Sequence, residues 1–225
     1  MAEFDIEGLR LDVPDEMLTP RLAAKLASGE YERDEARAAL MRLRPGRSVL
    51  ELGGGSGFIA CLCARVAGAD RVTTVEANPA LLPVIRANLD RNGAAAATLL
   101  HGAVGAAGEE AAPVAFDAAQ PFWAGRLAGD AAGTRAVAVP RLELHDLMAR
   151  TRPALVIMDI EGAEATLFDA RWPAHVRNLM IELHPDRYPA TVIQRIVDCL
   201  SASGLTYDPG PSRGRILCFQ RVRGR

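Results

Sequence analysis

The sequence predicts an α/β chain: a doubly wound, mostly parallel seven-stranded sheet whose last strand runs antiparallel. Short apolar runs rich in branched residues alternate with longer helical patterns, which is the rhythm of βαβ units. The run 154–159 is nearly all apolar, as a strand covered on both faces should be. Two closing strands, 205–208 and 215–221, are joined by a short link through Pro209-Gly210-Pro211 and should therefore pair antiparallel.

Taken in order, residues 4–13 alternate apolar and polar around Gly8, which predicts a small hairpin or an added edge strand. Helical patterning covers 17–27 and 33–43. Residues 1–44 should thus form an N-terminal extension packed on a core of 45–225. Pro45-Gly46 turns the chain into strand one, 48–52; a helix to Val66 and strand two, 72–76, follow. A helix over 79–89 places Pro79 at its first position, where no amide is missed, and Asn92-Gly93 ends it. Strand three covers 98–101. The segment 105–140 breaks the rhythm and reads as an inserted set of antiparallel strands at 113–117, 122–127 and 135–139. Unstructured loops of that length are uncommon in compact domains, so the insertion reads as a substrate-side element, with Trp123 as a candidate contact. Helices at 144–149, 163–170 and 190–203 alternate with strand four, 154–159, and strand five, 178–183.

Composition narrows the classes. A length of 225 residues suits one large domain, and no apolar run approaches the ~20 residues of a membrane span. Glu3, Asp5 and Glu7 are unlike the basic start of a signal peptide, and a net charge of -2 gives no field favouring nucleic acid. The four cysteines show no zinc spacing and read as free thiols, so the expectation is a cytoplasmic protein without membrane or nucleic-acid partners. Arg213, Arg215, Arg221, Arg223 and Arg225 read as a solvated tail.

The organising stretch is Val49-Leu50-Glu51-Leu52-Gly53-Gly54-Gly55-Ser56-Gly57-Phe58, a buried strand, a glycine turn and the start of a helix. A dinucleotide fingerprint would need its third glycine where Phe58 stands, which disfavours an NAD(P)-linked oxidoreductase. Gly53-x-Gly55-x-Gly57 with Glu51 upstream resembles motif I of the class I S-adenosylmethionine (SAM) methyltransferases. Glu76 ends strand two, where an acid accepts hydrogen bonds from ribose hydroxyls. Ala77 beside it and Ala103 after strand three join the candidate cofactor contacts, as do Tyr31, Glu32 and Glu35 ahead of the motif. Those acids equally suit a solvated helix start.

Ligands of open α/β sheets sit outside the carboxyl ends of the strands, which collects Glu51, Glu76, Asp159, Glu161, Glu182 and His184 on one rim. For transfer to a hydroxyl, Asp159 and His184 are the candidates to take its proton, with Glu182 beside them. Each has a plainer role open to it: Asp159 as a helix cap, Glu161 and Glu164 as first-turn acids, His184 as a loop hydrogen-bonder. Asp159, Glu182 and His184 also form a chemically acceptable cation set, the less favoured alternative.

Asp159-Ile160-Glu161-Gly162-Ala163-Glu164, Ile181-Glu182-Leu183-His184 and Gly29-x-Tyr31-Glu32-x-x-Glu35 together resemble the FkbM family of SAM-dependent methyltransferases. The resemblance runs from about Val13 to Pro185. It implies a Rossmann-like fold, SAM as cofactor, and O-methylation of a sugar, polyketide-type or other small acceptor. Carried over by position, it makes Glu51 to Gly57 motif I, Glu76 the ribose acid, and Asp159 with Glu161 the acids after strand four, with Asp159 also against the cofactor and Glu161 facing the acceptor. A catalytically idle SAM-binding or partner-binding module is the reading from another class.

Overall fold

The computed structural model describes residues 1–106, 108, 112–117, 126–127 and 136–222. The chain opens with strands β1 (Ala2–Ile6) and β2 (Leu9–Val13), then helices α1 (Pro20–Ala27) and α2 (Arg33–Arg42). Strand β3 (Val49–Leu52), helix α3 (Phe58–Ala67), β4 (Val72–Glu76), α4 (Leu82–Arg91) and β5 (Thr98–His101) form the first half of the wound sheet. Short strands β6 (Ala103–Gly105), β7 (Val114–Asp117), β8 (Arg126–Leu127), β9 (Ala136–Val139) and β10 (Arg141–Glu143) precede α5 (Leu144–Thr151). The second half is β11 (Leu155–Met158), β12 (Asn178–Glu182), α6 (Ala190–Ala202), β13 (Leu205–Tyr207) and β14 (Ile216–Arg221).

The main sheet has seven strands in the order β13-β14-β12-β11-β3-β4-β5. Strands β12, β11, β3, β4 and β5 are parallel, whereas β14 runs antiparallel to both β12 and β13. The predicted fold class is thus the observed one. Side chains alternate across the sheet. Val49, Leu155, Ile157 and Met180 face α2, α3 and α4, while Leu50, Leu52, Val156 and Ile181 face α5 and α6. Helix α3 is apolar nearly all round because it is enclosed nearly all round: its residues from Phe58 to Ala64 are all buried.

The N-terminal strands make a hairpin closed by Glu7 and Gly8, both at positive φ. It is fastened by Asn88 of α4 and by Asn92 just after that helix. Asn88 Nδ2 donates to the carbonyls of Asp12 (3.0 Å) and Ser56 (2.9 Å), and its Oδ1 accepts from Asp12 N (2.7 Å). Asn92 does the same for Arg10. One fully buried amide therefore ties the extension to the glycine turn.

Three expectations need correcting. The helix expected at 79–89 begins at Leu82, because Pro83 has no amide to bond the Pro79 carbonyl and is tolerated only in a first turn; Leu81 N and Leu82 N bond Asn78 O and Pro79 O in turns ahead of it. The helix expected at 163–170 is only a 3-10 turn, Ala163–Thr166. Glu164 faces inward there, and Leu167, Phe168 and Trp172 all enter the core, with the Phe168 and Trp172 rings stacked at 5.3 Å. No single helical stripe serves that set. Arg223 and Arg225 lie outside the described residues, but the other three arginines are not simply a solvated tail: Arg221 donates to the carbonyls of Pro173, Val176 and Ser203, and Arg213 and Arg215 pair with Asp34 and Asp186.

Within the insertion, β7 pairs antiparallel with β8 and β9. Part of the predicted 122–127 strand, with Phe122 and Trp123, lies outside the described residues. The parallel pair β6 and β10 was not anticipated. No helix among the described residues is long and apolar enough to cross a membrane.

Replacing Asn88 with Ala is expected to lower folding stability by about 3 kcal/mol, since it strands buried groups of Asp12 and Ser56. Urea unfolding measures this, and an unchanged midpoint would refute the fastening role.

Candidate functional site

Strands β3 and β11 are neighbours, but the connections leaving them run to opposite ends of the sheet. The crevice between their carboxyl ends is the topological switch point of the fold. Gly53 follows β3 and Asp159 follows β11. Gly53 has φ +93°, and a Cβ on it would lie 1.8 Å from the Asp159 carbonyl oxygen. No other residue fits. Gly57 serves a different end: it starts α3 at φ +83°, and a Cβ there would press on Ile85 of α4 at 3.3 Å.

Glu76 braces the turn from the neighbouring strand. Its Oε2 accepts from Gly55 N at 3.1 Å and its Oε1 from Asn78 N at 2.6 Å. Burial raises its pKa, against the pull of these amides. Next to it opens a cleft with about 740 Å³ of empty space, open to solvent. Main chain of Gly53 and Gly55 forms its floor, with Glu76 to one side. Val75, Ala77, Leu81, Ala103 and Val104 supply apolar walls, joined by Phe116 from the insertion. Tyr31 and Glu32 close the opposite side, and Asp159, Ile160 and Glu161 the end.

The cleft adjoins a groove of mixed charge, which also carries Arg21, Lys25, Arg33, Arg187, Arg213 and Arg215, and a deeper cavity of acids and apolar side chains. Glu32, Glu35, Asp159, Glu161 and Glu182 border the groove together with His184. Glu51, facing the α3 side of β3, borders the cavity beneath with Glu32, Glu35, Asp159 and Glu182. Burial pushes both Glu51 and Glu32 up to about 8. Asp159 is raised well above the usual carboxylate range, first by burial and then by Glu182 and Glu161. Two of the acids sit on strained backbone: Glu32 has φ +46° and Glu161 has φ +55°, a region non-glycine residues seldom enter.

His184 is held from behind. Its Nδ1 lies 2.8 Å from Oε1 of Glu164, which has no solvent exposure. The same Oε1 accepts the Tyr188 hydroxyl at 2.7 Å, and Oε2 accepts Gly162 N at 2.8 Å. Burial alone would raise Glu164, but the bonds from His184 and Tyr188 outweigh it and hold its pKa below the ordinary value. Burial likewise opposes charge on His184, yet the bond to Glu164 raises its pKa. The ring is thereby fixed with Nε2 toward the groove, 3.6 Å from Asp159 Oδ1 and 3.5 Å from Glu161 Oε2. Glu161 itself is tethered to Arg187 at 2.5 Å.

Of the residues singled out in the sequence, Tyr31, Gly53, Gly55, Glu76, Ala77, Ala103, Asp159 and Glu161 line the cleft. Glu35, Glu182 and His184 line the adjoining groove. Glu51 lies beneath, and Gly57 packs helices instead of lining the cleft. Trp123 lies outside the described residues. Asp159 does not cap a helix; its Oδ1 is buried without a hydrogen-bond partner. Sequence reasoning missed the roles of Glu164 and Tyr188. The signal was the third acid of the Asp-Ile-Glu-Gly-Ala-Glu run, which reads as a first-turn helix acid only if a helix follows.

Strand order, the antiparallel β14 and the glycine turn at the switch point define the class I methyltransferase fold. The family model of protein-L-isoaspartate(D-aspartate) O-methyltransferase (PCMT) matches residues 34–120. A protein-L-isoaspartate O-methyltransferase from Methanococcoides burtonii is 40% identical over 63 residues, 28% of this chain and 31% of that relative. The chain thus matches under a third of that curated relative's length. Among solved structures, precorrin-6y C5,15-methyltransferase from Geobacter metallireducens superposes with a TM-score of 0.51 at 15% identity, covering 94% of this chain and 93% of that one.

The Glu51 carboxyl gives a pH test. Its folded pKa of about 8 lies above the unfolded value of about 4.3, so the folded state retains a proton that the unfolded chain gives up. Its contribution is fully present below the unfolded pKa and is lost as pH rises through 8. Glu51→Gln is expected to flatten the fall in stability between about pH 5 and 8 by roughly 1 kcal/mol per pH unit. Thermal unfolding across that range measures it, and parallel profiles for variant and wild type would refute it.

Proposed function

We propose that the chain is a SAM-dependent methyltransferase acting on a hydroxyl of a small metabolite, sugar or polyketide-type acceptor. The observation that carries this reading is the joining of two sites at one switch point. A glycine turn braced by Glu76 meets a buried histidine–carboxylate centre through the contact of Gly53 with Asp159. The residues fit the cofactor. Gly53 and Gly55 leave main chain open to it, Glu76 retains lone pairs for ribose hydroxyls, and Ala77, Leu81 and Val104 suit an adenine. The acids Glu32 and Glu51 suit its cationic methionine end. When bound, SAM supplies an electrophilic methyl group on a sulfonium sulfur.

The chain's own part is positioning and proton handling. Asp159, Glu182 and His184 receive the proton of the acceptor hydroxyl, and Glu164 keeps the imidazole aimed at it. Tyr31 and Glu35 take part from the N-terminal side, with Glu161 and the insertion, including Trp123, on the acceptor side. The Asp159 to Glu164 run and the Glu182-Leu183-His184 segment support assignment to the FkbM type.

The family match over 34–120 favours a second reading, methylation of an isoaspartyl carboxylate in a protein. That match ends before Asp159, Glu164, Glu182 and His184. A carboxylate would also need no proton acceptor. A neutral hydroxyl does.

Calorimetry with SAM and with its demethylated product is expected to show binding, and NADH none; the reverse result would sink the reading. Glu76→Ala is expected to weaken the cofactor by at least about tenfold. Asp159→Asn should retain the cofactor and lose about 100-fold in turnover, measured with labelled SAM over a panel of hydroxylated acceptors. Normal turnover by that variant would remove Asp159 from the mechanism.

A further inference from the structure

We propose that Asp159, Glu182 and His184 form a binding site for one divalent transition cation of the Mn²⁺ or Zn²⁺ kind. One donor atom from each residue lies within 4.8 Å of the others. Such a grouping of acids would mean little without the histidine. The His184 side chain is only 8% exposed, and its Nδ1 is committed to the buried Glu164. Its Nε2 points at Asp159 Oδ1 and Glu161 Oε2 from 3.6 and 3.5 Å and makes no hydrogen bond to either. Asp159 Oδ1 is buried and also lacks a hydrogen-bond partner.

The 3.6 Å from Nε2 to Asp159 Oδ1 is long for a hydrogen bond but suits two ligands of a shared ion. Two donors bound to one cation at about 2.1 Å stand roughly 3.0–3.4 Å apart, so Glu182, whose donor lies within 4.8 Å of the others, must swing inward by up to about 1.5 Å to complete the site. A histidine that offers one nitrogen to the ion and gives the other to a carboxylate is the usual outer-shell arrangement of metal centres, and Glu164 occupies that outer place. Tyr188 and Gly162 N fix Glu164 in turn. Glu161 is excluded from the first choice of ligands because Arg187 already neutralises it. The mixture of one imidazole with two carboxylates favours a transition cation over Mg²⁺ or Ca²⁺, which prefer oxygen alone.

The position gives the ion a use. It would lie beside the end of the cleft formed by Asp159, where an acceptor hydroxyl bound to it would lose its proton more readily, to Glu161 at the same end in place of Asp159 and His184, which as ligands are no longer free to take it. That use rests on the methyltransferase reading; the site itself does not.

The test is binding of Mn²⁺, followed by electron paramagnetic resonance, to the full chain freed of metal with a chelator. The demethylated cofactor product is titrated by calorimetry in parallel. One Mn²⁺ per chain is expected, displaced by Zn²⁺, with binding at least tenfold weaker in Asp159→Asn and His184→Ala. Asp186→Asn, an exposed acid on the outer groove, should bind as wild type does. Asp159→Asn is isosteric, and its retained affinity for the cofactor product guards against a folding defect. Absence of stoichiometric Mn²⁺ and Zn²⁺ binding, or binding indifferent to both ligand variants, overturns the site. Cofactor binding without a cation would remove the ion and leave the methyltransferase reading standing. Cation binding without the cofactor would do the opposite.

Discussion

The rest of the site depends on the contact of Gly53 main chain with the Asp159 carbonyl. Two parallel strands whose connections diverge leave a crevice that a side chain at position 53 would fill with a clash. With glycine there, the turn after β3 and the loop after β11 pack backbone against backbone. The turn carries Gly55 and its bond to Glu76, while the loop carries Asp159, Glu161 and Glu164. Neither segment can shift without the other. A ligand bound on the turn is therefore held in fixed relation to the histidine–carboxylate centre, which is what a displacement reaction requires of its two partners.

The scaffold pays for its charge distribution in local strain and desolvation. Glu51 is nearly buried, with Oε2 unpartnered, and Glu32 adopts a left-handed backbone to face the cleft. Groups of this kind destabilise a ligand-free fold, since each must either hold a proton or remain a poorly solvated anion. They persist because the surrounding structure is rigid: α3 is buried on nearly every side, and Asn88 locks the hairpin onto the turn. The stabilising energy sits in the apolar layers on either side of the sheet. The destabilising groups gather at one end of it.

The parts of this architecture legible in the sequence are those governed by periodicity and by glycine. Strands β3, β4, β11 and β12 announce themselves as apolar runs, and the turn after β3 as a glycine cluster. Glu76 follows from its distance along the chain. What periodicity cannot give is the direction of a single side chain in irregular backbone. Glu164 has the sequence context of a solvated helix acid, yet Gly162 at φ +102° and the inward Leu167 and Phe168 turn it into the core. The late start of α4 has a different origin, since Pro83 lacks the amide that a helix begun at Pro79 would have used. Strands β6 and β10 escaped notice because three residues carry no period.

Similarity along the chain is uneven in a way that matches this division. The PCMT match covers α2 through the glycine turn to Glu76 and β7, the part that supplies the glycine main chain, Glu76 and the apolar lining of the cleft. It stops short of β11, so Asp159, Glu164, Glu182, His184 and Tyr188 owe nothing to it. Among them Glu164, His184 and Tyr188 are tied into one network. One carboxylate, fully buried, satisfies an imidazole, a phenol and a backbone amide at once. Replacing any one of the three partners would leave a buried lone pair or donor unpaired, so such a network is either complete or costly. Its completeness is directed to a single end, the aim of His184 Nε2 at the groove. A domain that merely held a cofactor on its first half would have no need to build that second half so exactingly.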